Sequence, residues 1–298
     1  MPTVHTLRGA GTALATPFLS NGLLDEPALR RFVAWQLDQG IDYLVPCGST
    51  GEAATMTPDE QRRVVEITVE VVNGRVPVIA GAGSNDTAKA IRTSHMMRDA
   101  GATHLLHVSP AYNKPPQRGI MAHFRAIADV AELPIVVYNV PGRTGSNIAA
   151  ETTLALAEHP NIVAVKEASG DLGQITQIIR HRPHHFSVLS GDDALTVAII
   201  AAGGDGVVSV TSNVAPQLVA QLCESMHRGD YDDARAIDTR LAPWTSAAFI
   251  ESNPIPVKAA LAMMGLMQNE LRLPLVPLLE AHHAHVRSAL TAVGALVA

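Results

Sequence analysis

Features that mark specialised classes of protein are scarce in this chain of 298 residues. Its two cysteines, Cys47 and Cys223, are distant from each other and fit neither a disulfide framework nor a metal-site spacing. The longest apolar run, around 194–202, is far too short to cross a bilayer. The opening stretch MPTVHTLRGAG has neither the basic nor the apolar segment of a secretory signal. We therefore expect a cytoplasmic protein.

Neither sign of charge dominates the sequence. Lys and Arg together number 22 and Asp and Glu number 28, which gives a net charge of −6 scattered along the chain. This balance gives no electrostatic reason to expect a nucleic-acid partner or an anionic membrane. Hydrophobic residues make up 47% of the chain, so a large core can form, and the length suits an α/β barrel with an extension.

Short apolar runs rich in β-branched residues alternate with helical patterns over most of the chain. The predicted strands are Thr12–Thr16, Tyr43–Pro46, Val76–Ala80, His104–Val108, Ile135–Tyr138, Ile162–Val165, Phe186–Leu189 and Gly206–Val210. Between them lie amphipathic patterns such as Glu26–Gln39, and the capping-box sequence TPDE at Thr57 predicts another helix start. Parallel neighbouring strands need such crossovers, so the sequence predicts the α/β class.

The repeated strand–helix units indicate how the sheet is arranged. Eight of them most simply close into a (β/α)8 TIM barrel, which we assign to residues 1–229. An open doubly wound sheet is the alternative. After Pro216 the strand patterns stop and helical ones continue, so residues 230–298 are predicted to form a C-terminal helical extension.

In a barrel of this kind the active site lies at the carboxyl ends of the strands. One of those ends, in Ile162–Gly170 (IVAVKEASG), carries Lys166. A low-dielectric barrel mouth disfavours the ammonium and raises the fraction of free amine, which can attack a ketone or aldehyde and form a Schiff base. The alternative is a lysine that extends into solvent or pairs with a carboxylate. Glu167 is a poor candidate for that partner, because adjacent residues of a strand point to opposite sides.

Other groups at the strand ends fit such chemistry. Tyr138 ends the strand before Lys166, and a phenol beside an amine could relay protons; otherwise it is a core tyrosine whose hydroxyl reaches the rim. The turn 48–52 (GSTGE) could offer backbone amides and hydroxyls to a carboxylate or phosphate, although it could equally be a simple β-to-α turn. Arg143 follows a rigid turn at the same rim and could clamp a carboxylate, unless it is a solvated loop residue.

Several patterns do not indicate a cofactor or a metal. The segment 81–83 (GAG) does not have the third glycine of a dinucleotide fingerprint. The histidines near 181–185 and 282–285 lie in or beside helical segments, away from the strand ends. Asp192 and Asp193 have no second carboxylate cluster to complete a Mg²⁺ site, and we interpret them as structural or rim residues. We predict no cofactor and no metal.

Taken together, these residues resemble the dihydrodipicolinate synthase and N-acetylneuraminate lyase family of Schiff-base aldolases, over essentially the whole chain. The matching motifs are 48–52 (GSTGE), 138–141 (YNVP), 165–167 (VKE), 189–193 (LSGDD) and 253–258 (NPIPVK). The sequence RTG at 143–145, after the tyrosine motif, is similar to the synthase branch of the family.

The resemblance implies a lyase that condenses pyruvate with L-aspartate 4-semialdehyde on the diaminopimelate route to lysine. Lys166 would form the imine with pyruvate, Tyr138 would act as general acid and base, and Ser49 would join a proton relay to solvent. Tyr112 would complete that relay from a neighbouring subunit of a homotetramer. The substrate-binding residues implied by the resemblance are Thr50, Arg143, Gly191, Val208 and Asn253.

Two features depart from the family pattern. The relay position, usually threonine in the synthase branch, is Ser49, which has no methyl group to limit its rotamers and matches the lyase branch. The positions that match the lysine-binding residues of feedback-inhibited members are Pro58, Gln61, Asn85, Lys89 and Ala111, of which Asn85 alone is kept. A cation at Lys89 would repel the ammonium of lysine, so weak or absent feedback inhibition is predicted.

Two rival functions stay open. A related pyruvate-dependent aldolase or dehydratase acting on a sugar acid would use the same imine, although such a substrate has less use for the carboxylate clamp of Arg143. A non-catalytic barrel that binds a keto acid is hard to reconcile with Ser49, Tyr112, Tyr138 and Lys166 in one chain.

Overall fold

A computed structural model describes residues 7–296 of the chain. Residues 1–6, which hold part of the stretch used to predict that no secretory signal is present, lie outside the described residues. Within residues 7–296, no helix combines the length and the apolar character that a membrane span requires.

Parallel strands alternate with helices and form one sheet of eight strands, as predicted. The strands are β1 (Gly9–Ala13), β2 (Tyr43–Val45), β3 (Ile79–Gly81), β4 (His104–Val108), β5 (Ile135–Asn139), β6 (Ile162–Glu167), β7 (Ser187–Ser190) and β8 (Gly206–Ser209). The helices are α1 (Glu26–Asp38), α2 (Pro58–Val72), α3 (Thr87–Asp99), α4 (Gln117–Ala128), α5 (Pro141–Thr144), α6 (Ala150–Ala157), α7 (Leu172–His181), α8 (Thr196–Ala201), α9 (Pro216–Arg228), α10 (Tyr231–Ala247), α11 (Ile255–Met263) and α12 (Glu280–Ala292).

The sheet closes on itself. Its strand order, β2-β1-β8-β7-β6-β5-β4-β3, leaves β2 and β3 at the two ends. A parallel bridge joins Leu44 to Val78, and the Leu44 N–H donates to the carbonyl of Pro77 at 3.1 Å. The fold is therefore the predicted TIM barrel and not an open doubly wound sheet.

The first strand begins earlier than its sequence pattern suggests. The apolar run predicts Thr12–Thr16, whereas β1 spans Gly9–Ala13. The early part of β1 is glycine-rich and has no β-branched pattern, and a glycine is needed at 11 because a Cβ there would lie 1.8 Å from the ring of Tyr43. The strand therefore begins in a segment whose glycine is required by packing and which carries no apolar strand pattern. Thr16 consequently lies in the following loop, where its hydroxyl donates to Gly51 O at 2.7 Å.

The helix starts follow their local signals. At α2, the Thr57 hydroxyl accepts from the Glu60 N–H at 3.2 Å and the Glu60 carboxylate accepts from the Thr57 N–H at 2.8 Å. This is the predicted capping box.

Helices follow the barrel at the C-terminal end of the chain, as predicted. The helix α10 packs against α9 and α12. Trp244 of α10 is fully buried, and its indole N–H donates to Thr211 O at 3.1 Å, just beyond β8. The division into units at residue 229 stays a prediction.

Candidate active site

Two adjacent strands bring Tyr138 and Lys166 together at the mouth of the barrel. Tyr138 is paired with Lys166 in the register of β5 and β6, so both side chains point to the same side at the same height. The Lys166 Nζ lies 4.2 Å from the centroid of the Tyr138 ring. Both residues are buried, with 6% of Lys166 and 7% of Tyr138 exposed. The predicted neighbourhood of the amine and the phenol is therefore present.

Burial sets the protonation of this pair. It lowers the pKa of Lys166 to about 8, because the ammonium loses its hydration; the carboxylate of Asp193 opposes the shift and the guanidinium of Arg143 adds to it. Burial also raises the pKa of Tyr138 to about 12, against a smaller lowering by Arg143. Near neutral pH the phenol therefore holds its proton, while the amine has a substantial free fraction.

The space beside the Lys166 side chain requires a glycine at position 191. A Cβ at Gly191, at the end of β7, would lie 2.8 Å from the Cβ of Ala168 and 3.1 Å from both Cε and Cγ of Lys166. A side chain here would push the lysine out of its position. Gly191 is therefore packed against the stem of Lys166, and its role in binding substrate stays a prediction.

A chain of hydrogen bonds links three more of the predicted residues. The Asn253 amide donates to the Thr50 hydroxyl at 2.8 Å, and Arg143 donates to the Asn253 carbonyl at 3.4 Å. Thr50 and Asn253 are buried and Arg143 is exposed. Because Arg143 shifts the pKa values of both Lys166 and Tyr138, these three hydrogen-bonded residues border the mouth of the barrel.

The remaining predicted residues differ in their burial. Val208 is buried in the barrel interior, in the apolar cluster that contains Tyr138. Ser49 is exposed, and Tyr112 is 91% exposed with a left-handed φ of 72°. Within residues 7–296, neither the Ser49 hydroxyl nor the Tyr138 hydroxyl has a hydrogen-bond partner. The three-hydroxyl relay is therefore not assembled inside one subunit.

A buried ion pair that the sequence analysis did not identify holds the turn 48–52 in place. Lys258 of α11 bonds Glu52 at 2.7 Å, and both side chains have no solvent exposure. The backbone N–H of Arg272 donates to the other carboxylate oxygen of Glu52 at 3.1 Å. Lys258 is the single charged residue of an otherwise apolar helix, IPVKAALAM, which is the signal that could have indicated a buried partner.

Asp193, interpreted from the sequence as a structural or rim residue, is buried close enough to Lys166 to raise the pKa of its amine. Its carboxylate is buried and accepts hydrogen bonds from the Ser209 hydroxyl, the Val210 N–H at 2.9 Å and the Thr211 N–H at 3.1 Å. These donors fix a negative charge near Lys166 without a direct bond to the amine.

Other reactive groups are less suited to chemistry. Cys47 is buried, and burial raises the pKa of its thiol to about 12, so it holds its proton. Among residues 7–296, no group of three or more His, Cys, Asp or Glu side chains is placed to hold a metal ion.

Comparison with known proteins gives a consistent result over the whole barrel. The model of the dihydrodipicolinate synthetase family matches residues 6–293. The 4-hydroxy-tetrahydrodipicolinate synthase of Maridesulfovibrio salexigens is 49% identical over 290 residues, which cover 97% of this chain and 99% of that protein.

Solved structures agree with that result. The dihydrodipicolinate synthase of Thermotoga maritima is 44% identical with a TM-score of 0.96, and the match covers 98% of this chain and 100% of that one. The chloride-inhibited dihydrodipicolinate synthase of Acinetobacter baumannii, solved with pyruvate, is 40% identical with a TM-score of 0.96 over the same shares of the two chains.

The unusual acidity of Lys166 can be measured directly. We expect its amine to titrate near pH 8, whereas an ordinary lysine titrates near about 10.4. Asp193→Asn should lower the Lys166 pKa further, because Asp193 raises it. Reductive ¹³C-methylation followed by NMR gives the titration, and Lys166→Arg identifies the resonance.

A second substitution controls for the general loss of a carboxylate, at the partly buried Asp205. Asp205→Asn changes a carboxylate at the opposite end of the barrel, where it accepts from the Val188 N–H at 2.7 Å. It should leave the Lys166 resonance unmoved. A Lys166 pKa above 10, or an upward shift in Asp193→Asn, would contradict this description of the site.

Proposed function

The chain belongs to the dihydrodipicolinate synthetase family, and on that premise we propose that it condenses pyruvate with L-aspartate 4-semialdehyde, as a 4-hydroxy-tetrahydrodipicolinate synthase. The observation that carries the proposal is the buried Lys166 amine, with its pKa lowered to about 8, beside the Tyr138 phenol. With such a pKa, roughly one lysine in ten is a free amine at pH 7, compared with one in a few thousand for an exposed lysine.

The first half of the reaction forms a nucleophile from pyruvate. The Lys166 amine attacks the C2 ketone, a carbinolamine forms, and water leaves to give a protonated imine. Tyr138 donates its proton to the developing alkoxide and later recovers one, a role that fits a phenol still protonated at neutral pH. The cationic imine then draws electrons from C3, which loses a proton and becomes an enamine carbon. The Asp193 carboxylate favours that cation.

The second half forms the ring. The enamine C3 attacks the aldehyde carbon of L-aspartate 4-semialdehyde and makes the new C–C bond, while the aldehyde π bond opens and its oxygen takes up a proton to become the hydroxyl of the product. The amino group of the condensed product then displaces Lys166 from the imine carbon, which closes the ring and regenerates the enzyme. The balance is one pyruvate and one semialdehyde consumed, with 4-hydroxy-tetrahydrodipicolinate and one water formed.

The polar residues around the amine suit the two carboxylates of these substrates. Thr50, oriented by the Asn253 amide, lies on the turn that would hold the pyruvate carboxylate. Arg143 would clamp the carboxylate of the semialdehyde with its planar guanidinium. Gly191 and Val208 would shape the cavity around the lysine. A sugar-acid substrate would make poorer use of a second carboxylate clamp.

The relay to solvent needs a second subunit in this proposal. Ser49 and Tyr112 are both exposed, and Tyr112 extends from the surface rather than folding back on its own barrel. A neighbouring copy that inserts its Tyr112 would connect Tyr138, through Ser49, to solvent. The homotetramer and the cytoplasmic location stay predictions.

A coupled assay tests the activity. Purified protein receives pyruvate, L-aspartate 4-semialdehyde and dihydrodipicolinate reductase, and NADPH consumption is followed. We expect turnover that Lys166→Ala abolishes and that Tyr138→Phe lowers by about 10²–10⁴-fold in kcat, the usual contribution of a general acid–base group. Lys89→Ala removes an exposed lysine and should leave turnover unchanged.

The outcomes separate the candidate functions. No turnover, together with retained covalent trapping of pyruvate, would redirect the search to other aldehydes, including sugar acids. Full turnover in Lys166→Ala would contradict the mechanism.

We also propose that the enzyme is insensitive to lysine. Lys89 is an exposed cation on α3, where it would repel the ammonium of lysine. The Gln61 amide, at another of the matching positions, is committed to the carbonyls of Ala53 at 2.8 Å and Met56 at 3.4 Å. Asn85 is likewise bonded to Ala111 O at 3.2 Å.

A lysine titration of the coupled assay tests this proposal. We expect no loss of rate at millimolar lysine, because the cation at Lys89 and the committed Gln61 amide leave the ligand's charges without partners. A lysine-inhibited family member serves as positive control in the same assay. Half-inhibition at sub-millimolar lysine would show the proposal to be wrong.

A further inference from the structure

The residues that follow the two central residues form a pair of their own on the other side of the sheet. Asn139 follows Tyr138 and Glu167 follows Lys166, and the two are register partners at the ends of β5 and β6. Both are fully buried. The Asn139 amide donates to the two carboxylate oxygens of Glu167 at 3.0 and 3.2 Å. The mechanism proposed above uses neither side chain.

Each member of this pair is held by further bonds. Glu167 accepts from the Ser169 N–H at 2.8 Å and from the Gln174 amide at 3.3 Å. Asn139 accepts from the Ile148 N–H at 2.9 Å and donates to Asn147 Oδ1 at 2.7 Å. Together they anchor the end of each strand to the loop or helix that follows it.

The register of β5 and β6 is not uniform, so a contact that fixes the alignment at their carboxyl ends, such as that of Asn139 with Glu167, matters for the site. Ile135 is aligned with Ile162, but Val136 is aligned with Ala164, so the register shifts by one residue at the start of the strands. A slip of one residue reverses the side to which every side chain points. The pairing of Tyr138 with Lys166 therefore needs a fixed alignment at the carboxyl end, after the shift.

We infer that Asn139 and Glu167 are positioning residues, which lock the ends of β5 and β6 in the alignment that sets Tyr138 against Lys166. This inference rests on the proposed function, because it concerns the geometry of imine formation at Lys166. The pair acts through geometry and not through charge, because the charged groups that shift the pKa of Lys166 are Asp193 and Arg143.

The pattern of donors and acceptors allows a test by exchange. Asn139→Asp sets two carboxylates against each other. Adding Glu167→Gln restores the hydrogen bond in the opposite direction, because the amide at position 167 then donates to the carboxylate at position 139. In the double variant, the new glutamine can still accept from the Ser169 N–H and the new aspartate from the Ile148 N–H. Asn147 is exposed, and to face the aspartate its amide nitrogen must turn away from Gln174 Oε1, to which it donates at 2.6 Å.

The measurement is the rate of imine formation with saturating pyruvate, by rapid quench into borohydride and intact mass. It is taken at the high-pH plateau, where Lys166 is fully deprotonated in every variant, so that changes in nearby charge have no effect on the fraction of free amine. We expect Asn139→Asp to lose about 100-fold, Glu167→Gln about 3- to 10-fold, and the double variant to recover at least about tenfold over Asn139→Asp. The KM for pyruvate should change by less than about threefold.

Controls separate positioning from loss of stability and from failure of the proposed function. Asp205→Asn removes a carboxylate at the far end of the barrel and should keep the wild-type rate. If Asn139→Asp does not fold, Glu167→Gln carries the test alone, and a folded Glu167→Gln with the wild-type rate would overturn the inference. It would equally be overturned if the double variant recovered nothing, or if Asp205→Asn lost as much rate as Asn139→Asp. Absence of any adduct in the wild type would instead refute the proposed function.

Discussion

Lys166 takes an amine out of water at the mouth of the barrel, and the ammonium form loses its hydration there. The charged groups around Lys166 then adjust the pKa of its amine. Arg143 pushes the pKa of Lys166 down, whereas Asp193 limits the fall, so that the amine stays near the range where it can alternate between nucleophile and cation. An imine on the same nitrogen carries the positive charge that Asp193 is placed to favour. Burial alone would give a free amine, but it would give no support for the cation that follows.

The rest of the molecule holds this amine and its neighbours in place. Inside the barrel, the register of β5 and β6 presents Tyr138 to Lys166, and the glycine at 191 leaves room for the lysine stem. Above the barrel, the C-terminal helices reach back to the mouth through the buried Lys258–Glu52 pair. Removal of either partner would leave an uncompensated charge in the interior, which typically costs about 3–5 kcal/mol. The extension is thus tied to the same turn that carries Ser49 and Thr50.

The sequence predicts the parts of this structure that depend on local pattern. Alternating strands and helices give the barrel, and the rule that parallel strands end at one rim brings Tyr138 near Lys166. It places the first strand three residues too late, because the glycines at its start carry no apolar pattern and the space beside Gly11 is taken by Tyr43 from another strand. It also does not predict that Glu52 pairs with Lys258, 206 residues away, since periodicity identifies a buried charge but not its partner. The relay through Ser49 and Tyr112 stays a prediction, because both residues are exposed and residues 7–296 of one subunit do not assemble it.

The most direct test of this account is to find where pyruvate is attached. The protein is incubated with pyruvate, reduced with borohydride and digested, and the modified peptide is sequenced by mass spectrometry. The account predicts one reduced pyruvyl adduct per chain, on Lys166 within the peptide that contains IVAVKEASG, and none in Lys166→Ala. An adduct on another lysine, or no adduct in folded protein, would contradict it.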